Sequence, residues 1–263
     1  MDLQIKNRRH SFLLIVLGLC VFSQPAIAAK NKLTLSTGAT YTTGDYGTSH
    51  DTDIYYLPLN AKFKSGQWTY KLTVPYLRKT GQVNVLREIG QVGITTVTTK
   101  RKTERGLGDV IASIKHPVYY QPSLRLFVDI TGSIKFGTAD NDKGLGTGEN
   151  DYSVKLGFYH LRGDLTPYAT LGYKNYGDSS SIKLNDVFFG STGFSYKLSE
   201  KLDAGINFSF KEKVSASSVS SRVLTLFATQ KLGEQYKVQA YVLGGFGDSS
   251  PDQGAGFSIS YGF

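Results

Sequence analysis

The feature that most narrows what this chain can become is a two-residue rhythm of apolar and polar side chains, repeated along most of its length. It is plainest in Gly254 to Phe263, GAGFSISYGF, where Phe257, Ile259, Tyr261 and Phe263 alternate with Ser258, Ser260 and Gly262. Strict alternation puts each set on its own face of an extended strand. In a soluble sheet the apolar face would meet a core. In a membrane barrel it meets lipid, and the small polar face meets the lumen. The same rhythm returns in Leu202, Ala204, Ile206, Phe208 and Phe210 against Asp203, Gly205, Asn207, Ser209 and Lys211. It returns again in Tyr152, Val154, Leu156 and Phe158 against Ser153, Lys155, Gly157 and Tyr159.

The first 28 residues read differently. Lys6, Arg8 and Arg9 precede an apolar run from Phe12 to Phe22, and Ala26-Ile27-Ala28 supplies the small residues of a cleavage site. That is the pattern of a secretion signal, cleaved after about Ala28. The apolar run is shorter than the ~20 residues a spanning helix needs. Cys20, the one cysteine, leaves with the signal, so residues 29–263 carry neither a disulfide framework nor a thiolate metal site. The formal charge of +9 falls to +7 when Asp2, Lys6, Arg8 and Arg9 are removed.

Residues 29–263 are expected to form one all-β domain, a transmembrane antiparallel up-and-down β-barrel of about twelve strands. The strands are placed near 32–44, 53–65, 67–79, 108–120, 123–137, 151–161, 164–176, 186–199, 201–212, 221–232, 235–245 and 254–263. Lengths near ten residues suit a tilted crossing of the hydrocarbon layer. Tight-turn sequences such as Ser65-Gly66-Gln67, Arg162-Gly163-Asp164 and Gly233-Glu234-Gln235 alternate with longer polar loops near 45–52, 80–107, 138–150, 177–185, 213–220 and 246–253. Short turns on one side and long loops on the other are the asymmetry of outer-membrane barrels. In the loop 80–107, Val83–Leu86 and Val92–Thr99 admit three outcomes: two more strands, making fourteen; a ribbon standing above the membrane; or an inward fold that narrows the pore. The basic run Lys100, Arg101, Lys102 and Arg105 is placed beside anionic lipopolysaccharide heads.

In this register the lumen receives Lys62, Lys71, Lys115, Arg125, Lys135, Lys155, Lys174, Lys197 and Lys237 against only Asp109, Asp129 and Asp203. Lys62, Lys197 and Lys237 sit beside short turns, where they snorkel at the rim. The expected permeation residues are therefore Lys71, Lys115, Arg125, Asp129, Lys135, Lys155 and Lys174, with Tyr159 and Tyr168 among the inward aromatics. A cationic wall in a narrow channel concentrates anions. Tyr56, Phe127, Phe189 and Tyr241 also point inward, either lining a passage or filling it.

Catalysis has little support. His50 lies in a loop tip, and His116 and His160 fall on the lipid side of non-adjacent strands, without a Ser-His-acid set. Asp140, Asp142, Glu149 and Asp151 crowd one outer loop but lack a calcium-loop pattern, so no metal and no cofactor is expected. Nothing points to nucleic acid. The expected partners are outer-membrane lipid and lipopolysaccharide, a small-molecule solute, and the barrel assembly machinery through Phe263.

Two stretches carry a family resemblance. Gly106-Leu107-Gly108-Asp109 opens a strand, and Phe136-Gly137-Thr138-Ala139-Asp140 is followed by Gly146-Thr147-Gly148 and Asp151. Together they resemble the outer-membrane β-barrel family named for the meta-pathway of phenol degradation, with Gly137 standing where that loop usually has Pro and Ala139 where it has Gly. The glycines permit left-handed bends and the aspartates can cap nearby backbone N–H groups. The resemblance implies a barrel linked to uptake of aromatic or other hydrophobic compounds. The expected function is passive or facilitated passage of a small solute, anionic or aromatic, through the outer membrane. A closed barrel acting through its loops in adhesion or envelope integrity is second, and an outer-membrane hydrolase third.

Overall fold

The computed structural model describes residues 31–88, 91–177, 184–216 and 218–263, with side chains between 82 and 100 left out. The expected signal at 1–28 lies outside the described residues. Thirteen antiparallel strands follow in order: β1 (Lys32–Gly44), β2 (Thr52–Ser65), β3 (Trp68–Glu88), β4 (Gln91–Leu107), β5 (Val110–Gln121), β6 (Leu126–Phe136), β7 (Asp151–His160), β8 (Leu165–Asn175), β9 (Val187–Lys197), β10 (Leu202–Lys211), β11 (Ser221–Leu232), β12 (Tyr236–Phe246) and β13 (Gln253–Gly262). Each strand lies beside its sequence neighbour except at β3 to β5, and β13 returns to pair with β1 from Gln253↔Thr43 to Gly262↔Thr34. The ring is closed, so each strand of the wall has a hydrogen-bonding partner on both sides.

Twelve strands make the wall, and β4 is the extra one. β3 forks: Thr69–Thr73 pairs with β5, whereas Tyr76–Glu88 pairs with β4. The upper half of β3 and the whole of β4 thus form the ribbon, one of the three outcomes open for residues 80–107. The charged run Lys100–Arg105 explains the choice, because no face of it could rest in hydrocarbon. At the fork the N–H of Gly108 donates to the carbonyl of Pro75 at 2.8 Å. A Cβ on Gly108 would lie 2.8 Å from Leu77 and 3.0 Å from Pro75, so a side chain there would have to displace both where the chain steps from ribbon to wall.

The faces are inverted relative to a soluble sheet. Leu57, Leu72, Leu171, Leu226, Val242 and Phe257 are 44–55% exposed on the outside. Thr73, Asp151, Lys174 and Lys211 are buried within. Trp68 meets His116 with ring centroids 4.1 Å apart, Tyr236 meets Tyr261 at 4.8 Å, and Phe263 meets Tyr261 edge-on at 4.7 Å; these rings form a belt at the short-turn end. The N–H of Phe263 bonds to the carbonyl of Leu33, tying that belt to β1.

Apart from the ribbon, the largest boundary shift from the sequence reading is at β6. The strand placed at 123–137 begins only at Leu126, because Pro122–Arg125 is a turn closed by the Arg125 N–H to the Pro122 carbonyl at 3.1 Å, with Arg125 at φ 49°. Arg125 is exposed in that turn and is not on the lumen wall.

The lipid face can be tested directly. L226R, an arginine on the outer face, is expected to cost about 2–4 kcal/mol of stability in a bilayer if it sits near the midplane. T225R, one residue away on the lumen face, should cost far less. Equilibrium unfolding in lipid vesicles separates the two.

Candidate functional site

The lumen wall of β3 and β5–β8 is built in rungs. Lys71, Ser113, Ser133, Ser153 and Lys174 are successive cross-strand partners, so three small hydroxyls lie between two lysines. One step toward the loops the partners are Ile111, Lys135 and Asp151; one step toward the turns they are Lys115, Thr131, Lys155 and Gly172. Period-two alternation aims all of these inward.

The loop-side rung is an ionic cluster. Lys135 Nζ lies 2.8 Å from Asp109 and 3.2 Å from Asp151, and it donates to the Glu149 carbonyl at 3.2 Å. Lys174 Nζ is 3.0 Å from the same Asp151 oxygen and 4.3 Å from the Tyr176 ring centroid. Lys135, Asp109, Asp151 and Lys174 have side chains no more than 7% exposed. Opposite charges are thus paired, as buried charges must be.

This cluster folds the loops inward. Asp109 accepts the N–H of Ala139 at 2.9 Å, and Asp151 accepts the N–H of Gly177 at 3.2 Å, so one carboxylate anchors the loop 137–150 and the other the loop after β8. A Cβ on Gly146 would stand 2.8–2.9 Å from the Asp109 carboxylate oxygens, so the loop passes at a distance only glycine allows. Ala139 and Leu145 then pack in one buried cluster with Tyr46 of the β1–β2 loop, Ile54 and Tyr56 of β2 and Leu77 of β3. Across the mouth, Tyr176, Leu184, Val187 and Val214 form a second. Constriction at the outer end comes from these loops. In the loop itself, Asp140 pairs with Lys143 at 2.8 Å, and its carboxyl is held below the usual range by that side chain and by the Lys143 N–H.

Below the mouth lies a cavity of about 680 Å³, bordered by Lys71, Lys135, Lys155, Lys174, Tyr168 and Phe189 among others. Its aromatics lie flat. Phe189, Phe227, Tyr241 and Tyr168 sit directly across from Gly172, Gly205, Gly256 and Gly193, and a Cβ on any of these glycines would come within 2.5–2.9 Å of the facing side chain. Each ring therefore covers the bare backbone opposite it and takes up little of the lumen.

The expected residues separate into four groups. Lys135 and Lys174 belong to the ionic cluster. Lys115 pairs with the buried Asp129 at 2.9 Å and stands 5.9 Å from the Tyr159 centroid; Tyr159 in turn is 6.3 Å from Tyr168 and 6.2 Å from Phe127. Lys71 and Lys155 face the cavity with no carboxylate in ion-pair reach among the described residues. Arg125 lies in its turn. Sequence reasoning missed Asp151 as a lumen anion and the ring-on-glycine pairs; only the Gly146-Thr147-Gly148…Asp151 spacing pointed to the first. His116 faces the lipid side against Trp68, with β6 between it and the strand of His160.

A closed twelve-stranded barrel with an apolar outside, two loop clusters over one mouth and a charged interior defines the outer-membrane class of β-barrels. The chain belongs to the family described as the putative MetA-pathway of phenol degradation, whose sequence profile matches residues 23–263. Among solved structures, an outer-membrane channel from Pseudomonas putida F1 superposes with a TM-score of 0.67 at 10% identity, covering 92% of this chain and 100% of that one. The NanC porin gives 0.54 at 9% identity over 86% of this chain and 97% of its own. No curated protein matches the chain.

Two outcomes follow. K135M would leave Asp109 and Asp151 facing each other without their shared cation, a change worth about 3–5 kcal/mol for buried pairs. Faster protease cleavage within 138–150, with the barrel itself still folded, is the expected readout. The Asp140–Lys143 contact, from a lowered carboxyl, is present above the ordinary carboxylate range and lost as pH falls through the folded value. Amide exchange at Lys143, whose N–H donates to Asp140, should therefore quicken under acid while β-strand amides stay protected.

Proposed function

We propose that this protein is an outer-membrane channel for small solutes carrying a negative charge, and that Lys71 and Lys155 are the cations that draw them in. One observation carries the reading. On the wall formed by Thr69–Thr73 of β3 and by β5–β8, five ammonium groups (Lys71, Lys115, Lys135, Lys155 and Lys174) meet three carboxylates (Asp109, Asp129 and Asp151), and the two lysines left over both border the cavity. An unneutralised charge in a narrow, partly desolvated lumen attracts its opposite strongly. The cavity falls within the ~300–1,000 Å³ range of small-molecule sites. The flattened rings of Phe189, Tyr168 and Tyr241 offer apolar contact beside the lysines, which suits an aromatic or amphipathic anion. The solved channel and porin with the same fold support a channel role over an enzymatic one. The signal-like sequence pattern of residues 1–28 and the apolar outer face support the outer membrane as its place.

A second reading rests on the two loop clusters at the outer mouth, which suit a barrel closed at rest and acting in the envelope without conduction.

Single-channel recording of the refolded protein under a salt gradient decides between them. Open events with a reversal potential toward chloride support the channel. In K71Q/K155Q the anion preference should fall severalfold while the heat-modifiable folded band is kept. Permanent silence in a demonstrably folded wild type, and in a variant lacking 139–147, sinks the channel and leaves the closed barrel.

A further inference from the structure

The outward face of the ribbon base places two arginines where the apolar wall ends. Tyr76 and Leu107, 41% and 60% exposed, are cross-strand partners on β3 and β4. Two residues further from the membrane, roughly 7 Å along the strand, their places are taken by Arg78 and Arg105, again directly opposite each other and both exposed. Next come Thr80 and Thr103, whose hydroxyls are 2.9 Å apart. Arg101 follows on the same face but is engaged by Asp53 at 3.2 Å, and Asp53 also accepts the Tyr41 hydroxyl. Arg78 has its guanidinium 5.8 Å from the Tyr55 centroid.

Like charges directly opposite on adjacent strands destabilise the pair. Neither Arg78 nor Arg105 has an acidic partner within ion-pair distance among the described residues. Two guanidinium forks at a shared height form a receptor for an oxyanion, and arginine suits phosphate because it binds through two N–H groups at once. Immediately below lie Leu57, Leu72, Tyr76 and Leu107, an exposed apolar surface for acyl chains. The required ligand has fatty chains and a phosphate at their head, and it lies in the leaflet on the loop side.

We infer that Arg78 and Arg105 form a binding site for a phosphorylated sugar headgroup of lipopolysaccharide, with its acyl chains along Tyr76 and Leu107. The inference rests on the outer-membrane placement of the proposed function but not on conduction. The Tyr55 ring steadies the Arg78 guanidinium, and the Thr80 and Thr103 hydroxyls lie one step further out, available to the sugar. The bound anion cancels the repulsion between the arginines, so it should also stiffen the base of the ribbon.

The test uses the full mature chain folded in detergent, titrated with bisphosphorylated lipid A, with lipid A stripped of its phosphates, and with phosphatidylglycerol, and read by native mass spectrometry. Tighter retention of the bisphosphorylated lipid than of either control, at least tenfold weaker in R78S/R105S, is the expected result. R222S, which removes an exposed arginine elsewhere on the loop-side rim, should change retention less than twofold. Equal binding of the stripped lipid or of phosphatidylglycerol overturns the site, as does an equal loss in R222S or no loss in R78S/R105S. Single-channel conductance should be the same in R78S/R105S as in the wild type, so failure here and failure of the channel reading are told apart.

Discussion

A backbone amide in hydrocarbon has no water to bond to, and leaving one unpaired costs several kcal/mol. That constraint explains why this sequence closes. Each strand of the wall finds partners on both sides, and the circuit is completed by β1 against β13. Once the wall must close, period-two alternation assigns every side chain to lipid or lumen. The interior is then whatever the second set happens to be: lysines, serines, glycines and a few flat-lying rings. The lumen chemistry is thus a by-product of the same rule that makes the barrel, and it is tuned by very few extra residues.

Those few are the acids. Asp109 and Asp151 each do two jobs, holding Lys135 in the wall and capping an N–H of an incoming loop. The ion cluster that neutralises part of the lumen is therefore the same device that brings loops over its mouth. Lys71 and Lys155 stand on the same wall with no acid in ion-pair reach among the described residues. Electrostatics and constriction are coupled through shared carboxylates, so the charge of the interior and the position of the loops cannot be set independently.

Much of this was legible in the sequence, for a physical reason. Alternation is local, and it located the wall strands with small errors at their ends. It erred at residues 123–125 because Leu124 and Leu126 keep the apolar beat through a turn, and a beat carries no mark of chain reversal. Membership of the ionic cluster was half visible: Asp109 stood out, but its partner Lys135 is 26 residues away, and contact at that range depends on the register of β5 against β6. The resting of Phe189 on Gly172 was not visible at all, since neither residue is informative until the two strands are set side by side. The ribbon was foreseen only as one of three outcomes, because a hairpin's height above the membrane is decided by which neighbour β3 chooses.

That choice has a mechanical consequence. Around the ring, strands are joined by eight to thirteen cross-strand pairs, but β3 and β5 share only the five from Thr69↔Lys115 to Thr73↔Ile111. Like a zipper with one short run of teeth, the cylinder has a predetermined line of weakness, and it lies away from the place where the first and last strands meet. Under heat or tension the wall would part along β3–β5, opening the cylinder into one continuous sheet with β4 at one edge and β5 at the other.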